Sequence, residues 1–157
     1  MDKTNVMRLL TQKKIPFEAF QYETKEALSG VEAAERLGVD PAGVYKTLVT
    51  TGHSGTHYVF VIPAAEELDL KKAAAASGEK SIEMLKAKDL LPLTGYVHGG
   101  CSPIGMKKPF ATWIDASARD RDDILFSAGK IGSHVRTAPE DLRKILDFQY
   151  ADLCREE

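Results

Sequence analysis

Lys46 is the first residue whose setting suggests chemistry. In VYKTLV (residues 44–49), alternation places Val44, Lys46 and Leu48 on one strand face and Tyr45, Thr47 and Val49 on the other. A lysine among aliphatic neighbours can guard a sheet edge or snorkel past an apolar rim. If it lines a pocket, it brings positive charge to a phosphate, a carboxylate or a developing oxyanion. The loop GYVHGGCSPIGMKK (95–108) offers a complementary device. Gly99 and Gly100 let backbone approach a ligand closely, and consecutive amides there can hold an oxygen. Ser102 adds a hydroxyl and Pro103 stiffens the turn. A second glycine segment, SAGKIG (127–132), follows the apolar run DILF and includes Gly129. Neither loop matches a Walker motif or the dinucleotide fingerprint, which disfavours nucleotide hydrolysis and NAD binding.

Cys101 invites comparison with a cysteine nucleophile. That role needs a base and an orienting group, and no signature here supplies them, so a small buried thiol is the better reading. His53, His57, His98 and His134 are dispersed without metal-ligand spacing. His53 and His57 stand four apart, but across a glycine turn and not on a helix. No metal and no cofactor are expected.

The totals bound the class. A chain of 157 residues is expected to form one domain, residues 1–157, with a core that needs no metal or disulfide. No apolar run approaches the roughly 20 residues that cross a bilayer, and the first residues lack the form of a secretory signal. Two cysteines, Cys101 and Cys154, fit free thiols in a reducing cytoplasm. The net charge of -2 argues against unaided binding of nucleic acid, DNA included, because neutralising phosphates supplies most of such affinity. The pairs Lys13-Lys14 and Lys71-Lys72 read as solvated surface, leaving Lys107-Lys108 beside the glycine loop.

Several elements must position these residues. Val6, Met7, Leu9 and Leu10 predict a short first helix that stops before Pro16. PFEAFQY alternates as a strand and carries Tyr22. SGVEAAERLG reads as a helix with a Ser29/Glu32 capping box and Gly38 at its end. Residues 43–63 read as two strands around a turn containing Gly52, Ser54 and Gly55. A helix follows from an Asp69 cap to Ser77-Gly78, and Ser81 is expected to start another. FATWIDA and DILFSAG read as strands, and TAPEDLRKIL as a last helix capped by Thr137 and Glu140. Strands separated by turns as often as by helices predict an α+β fold: a mixed, partly closed β-sheet or distorted barrel with peripheral helices.

VYKTLV, GYVHGGCSPIGMKK and SAGKIG, in that order, resemble the YbaK/EbsC family of aminoacyl-tRNA deacylases, related to the editing domain of bacterial prolyl-tRNA synthetase. The resemblance runs over nearly the whole chain and is nearest to the free-standing enzymes acting on Cys-tRNA(Pro). It implies a mixed sheet or distorted barrel with helices outside. It implies that Lys46 and Tyr22 serve catalysis, Lys46 positioning the terminal adenosine or the ester and Tyr22 standing at the pocket edge. Gly99, Gly100, Ser102 and Pro103 would form one wall and Gly129 a second. Family members often carry an acidic residue where this sequence has His134, so His134 would meet the substrate differently or not at all.

The implied substrate is the acceptor end of an aminoacyl-tRNA, and the implied partner is prolyl-tRNA synthetase. In cysteinyl-tRNA the substrate's own thiol can attack the ester, which would explain the missing nucleophile. Two alternatives stand beside this: a deacylase for Ala- or Ser-tRNA, and a non-catalytic module that binds tRNA or a nucleotide.

Overall fold

A computed structural model describes residues 3–156. The first helix, α1 (Asn5–Gln12), starts where the Thr4 hydroxyl accepts from the Met7 amide, and it buries Val6, Met7 and Leu10. A strand, β1 (Glu18–Gln21), leads to α2 (Gly30–Leu37). The expected Ser29/Glu32 capping box and the left-handed Gly38 bound that helix. Gly30 is required by contact: a Cβ there would lie 2.0 Å from that of Ala64, so α2 sits directly on the chain leaving the next hairpin.

That hairpin is β2 (Tyr45–Gly52) and β3 (His57–Pro63), paired antiparallel with Lys46 opposite Ile62 and Thr47 opposite Val61. Helix α3 (Leu70–Ser77) follows its Asp69 cap, whose carboxylate accepts from the Lys71 and Lys72 amides. Strand β4 (Ile82–Met84) and helix α4 (Ala87–Thr94) precede the glycine loop. After it come β5 (Ala111–Asp115), β6 (Ile124–Lys130), β7 (Ser133–Thr137), a 3-10 segment (Pro139–Lys144) and β8 (Phe148–Ala151).

The strands form two sheets, β1-β7-β6 and β4-β2-β3-β5-β8. The β3–β5 and β5–β8 pairs are parallel and the others antiparallel, so the expected mixed α+β architecture is present without a closed barrel. Period-two alternation splits β3 between two cores. Val59 and Val61 join α1, Val49, Phe126 and Val135, whereas Phe60 and Ile62 pack under α3 with Ile82 and Leu153. A third cluster, Ala34, Val44 and Leu125, fixes α2 against both sheets.

Two expected elements differ. Ser81 does not start a helix. Residues 82–84 extend β2 at its far end, Ile82 opposite Gly52, with Ile82 buried and Glu83 and Met84 exposed. Edge pairing there overrides the helical preference of the following residues, and α4 begins only after Lys86. Nor does Thr137 cap a last α-helix. It ends β7, and its hydroxyl donates to the Pro16 carbonyl at 2.7 Å. Glu140 accepts instead from Arg143 and Tyr150, and the segment is 3-10.

Candidate active site

The two sheets touch and then part beside Lys46. Val44 bridges to Leu125 of β6, and β4 joins β2 only from Thr50 onward. Between those points the outer edge of β2 is paired with no strand among the described residues. A cavity of about 440 Å³ opens there. Its walls are that edge, the first turn of α2 at Ser29, Gly30 and Ala33, and the segment Met84, Leu85, Ala87 and Leu90. The loop residues His98, Gly99 and Cys101 close one side, and Ser127 and His134 close another. Side chains from both faces of β2 reach an exposed strand edge, so Lys46 and Thr47 both line the cavity although they point to opposite faces. The Lys46 side chain is half-buried, and its ammonium forms no ion pair with the described residues.

His134 is held by Tyr22. The Tyr22 hydroxyl lies 3.2 Å from His134 Nε2, and the rings stack with centroids 5.6 Å apart. The Arg36 guanidinium covers the Tyr22 ring at 5.5 Å. Burial pulls the His134 pKa down to about 4, so the imidazole is neutral near pH 7, while burial raises that of Tyr22 and keeps its proton in place. Nδ1 of His134 is buried without a hydrogen-bond partner, as is the Thr47 hydroxyl oxygen. Tyr22 itself opens onto a separate, shallower cleft lined by Gln21–Lys25 and Lys130–Ser133, and reaches the deep cavity only through His134.

The glycine loop contributes less of the wall than its composition suggests. Gly99 lines the cavity at φ 85°, where a Cβ would stand 2.3 Å from that of Ala27. The Gly100 amide is committed to the Val97 carbonyl, and the Gly129 amide to the Ser127 hydroxyl, so neither is available for an oxyanion. Ser102 is fully buried, its hydroxyl accepting from the Ile104 amide. Pro103 lines a different depression with Leu9 and Phe110, and Gly129 packs against Tyr96. Of the residues expected at the site, Lys46, Gly99 and His134 therefore meet at one cavity. Gly100, Ser102, Pro103 and Gly129 do not line it: Pro103 and Gly129 border other depressions, and Gly100 and Ser102 flank Cys101 in the loop behind it.

Cys101 also faces the cavity. Burial pushes its thiol up to about 12, which leaves it protonated and a poor nucleophile. Ser127 joins the cavity beyond the residues the sequence points to; its only local signal is a hydroxyl at the head of SAGKIG, ahead of the glycines. The capping box at the first turn of α2 and the strand pattern around Thr47 mark local structure only, and the tertiary arrangement brings both here.

Residues 24–145 match the family model described as the aminoacyl-tRNA editing domain. A protein of Enterococcus faecalis named "Putative Cys-tRNA(Pro)/Cys-tRNA(Cys) deacylase EbsC" is 44% identical, with 99% of this chain and 95% of that one aligned. A proline–tRNA ligase of Shouchella clausii is 29% identical over 71% of this chain and 19% of its own length. Among solved structures, one titled "Crystal structure of a putative trans-editing enzyme for prolyl tRNA synthetase" superposes with a TM-score of 0.84. It shares 22% identity and covers 99% of this chain and all of the other (100%), a likeness of fold.

Proposed function

As this chain belongs to the aminoacyl-tRNA editing domain family, we propose that it is a trans-editing deacylase that frees the amino acid from mischarged tRNA, Cys-tRNA(Pro) foremost. The observation that carries the reading is Lys46, a half-buried cation without an ion-pair partner among the described residues, at the rim of a cavity sized for a small acyl group. Cys101, the one thiol lining that cavity, is held protonated by burial, which favours an attacking group from the substrate or from water.

In the thiol route, the cysteinyl Sγ bonds to the ester carbonyl carbon and the bond to the ribose 3′ oxygen breaks. The thiol proton passes to that leaving oxygen, giving tRNA and a cyclic thiolactone. Lys46 orients the ester and steadies the oxyanion, which are proximity and electrostatic effects. His134, fixed by Tyr22, shapes the acyl site, and the Ser127 hydroxyl keeps its own proton available for donation. The acceptor end approaches past Lys107 and Lys108. With a net charge of -2 the protein binds the tRNA body weakly, and prolyl-tRNA synthetase supplies that selectivity.

The test follows loss of labelled amino acid from Cys-, Ala- and Ser-tRNA(Pro), with and without the synthetase. Hydrolysis of the cysteinyl ester well above the other two is expected. Equal rates on all three would remove the thiol route, and no hydrolysis of any would remove the deacylase.

A further inference from the structure

The charge of the cavity bears on the acyl group it accepts. Among the described residues no carboxylate lines it, whereas Lys46 brings a full positive charge. The first turn of α2 stands in the wall with its start engaged in the Ser29/Glu32 capping box. The Glu32 carboxylate accepts from the Ser29 amide at 3.1 Å and does not itself line the cavity. Glu83 of β4 and Asp89 of α4 point to solvent with Lys86 and Lys88. The remaining titratable groups that face the space are Tyr45, whose hydroxyl is paired with Ser117 and held protonated by burial, His98, the protonated Cys101 and His134, with Tyr22 and Arg36 behind the last. Nothing in these walls neutralises an ammonium, and desolvation beside a like charge disfavours one.

Building on the deacylase reading, we infer that this cavity takes the acyl group with its α-substituent uncharged, binding an aminoacyl ester as the neutral amine and accepting the matching 2-hydroxyacyl ester of tRNA as a further substrate. An α-amino group titrates at about 7.7–8.0 at a peptide terminus and lower beside an ester carbonyl, so near pH 6 the form the cavity admits is the minor one. A hydroxyl in its place has the same size and never carries charge. Hydrogen bonding to the neutral His134 ring system and to Ser127 serves either group.

The experiment compares kcat/KM for Cys-tRNA(Pro) and 3-mercaptolactyl-tRNA(Pro) from pH 6 to 9, each corrected for hydrolysis without protein. Both esters keep the thiol, and because the α-ammonium of the cysteinyl ester shifts its ionisation, the thiol of each ester is titrated separately and divided out of the ratio. The hydroxyacyl ester is expected to lead by tenfold or more at pH 6, the lead shrinking towards unity above the titration of the amine. His134→Asp puts a carboxylate into the wall and should cut the lead at pH 6, read as the ratio of the two esters so that any general loss of activity divides out. A ratio independent of pH, or a preference for the cysteinyl ester at pH 6, overturns the inference while leaving the deacylase intact. Inactivity on both esters overturns the deacylase and this inference with it.

Discussion

Tyr22 and His134 form the partition between two recesses: the hydroxyl of one lies 3.2 Å from Nε2 of the other, and their rings stack at an interplanar angle of 26°. Tyr22 faces the shallow cleft near Lys25 and Lys130, and His134 faces the deep cavity beside Lys46. A change to either residue is thus felt on both sides.

The titration of His134 makes this partition visible in stability. The folded imidazole titrates at about 4 against 6.5 when exposed. Below pH 6.5 the unfolded chain takes up a proton that the folded one refuses, so stability falls as pH drops from 6.5 towards about 4 and this contribution levels off below that. His134→Gln lacks the titration. Urea unfolding at a series of pH values should show a shallower loss for the variant across that window, and parallel curves would contradict the assignment.

Tyr22→Phe leaves the imidazole with no hydrogen bond at either nitrogen, given that Nδ1 already has none. Stranding a buried polar atom costs on the order of 1–3 kcal/mol. Urea unfolding should register a loss of that size, and deacylation should fall with it because the acyl-site wall loosens. An unchanged unfolding midpoint would mean that the two rings are neighbours without being partners.

Gly30 and Ala64 offer a test of how α2 sets the cavity mouth. Gly30→Ala forces two methyl carbons into a gap of 2.0 Å, which should destabilise by about 1–3 kcal/mol and push the first turn of α2 away from Lys46. Ala64→Gly in the same chain restores the space. Recovery of both unfolding midpoint and deacylation in the double variant is expected, and additive losses would place the strain elsewhere.

How much of this was legible in the sequence differs by element. The α2 capping box, the Asp69 cap and the hairpin around Gly52 and Gly55 are local signals, read from residues a few positions apart. Strand β7 was missed because SHVRT carries a histidine and an arginine on one face and buries two hydroxyls on the other. Strand β4 reads locally as the start of a helix because its hydrogen bonds lie with Thr50–Gly52, some 30 positions earlier, a separation no local pattern encodes. At the site, Lys46 and Gly99 were legible by type and motif. Thr47, Cys101 and Ser127 gather around them only because β2 and β6 diverge after the Val44–Leu125 bridge.

Cys101 should behave as a sheltered thiol. With its pKa pushed up to about 12 by burial, it should react with iodoacetamide at pH 8 more than tenfold slower than a free cysteine. Cys101→Ala should keep deacylation within a few-fold of the parent. Fast alkylation that abolished turnover would restore the protein's own thiol to the mechanism.

Lys46 is where cavity, charge and proposed chemistry meet, so its removal is the most informative substitution. Its side chain is half-buried at an open strand edge, with its head free of any ion pair among the described residues, so Lys46→Ala should leave the unfolding midpoint almost unchanged. Deacylation of Cys-tRNA(Pro) should fall by orders of magnitude, because positioning and charge stabilisation each contribute several kcal/mol to the barrier. Lys46→Arg should restore only part of it, since the planar guanidinium donates in a fixed fork and is bulkier than the ammonium. Lys71→Ala, on an exposed face of α3, serves as the control and should be nearly silent. Turnover would be followed by loss of labelled cysteine, with circular dichroism on the same samples. Near-normal hydrolysis by a well-folded Lys46→Ala protein would reduce Lys46 to a surface lysine that happens to border the cavity.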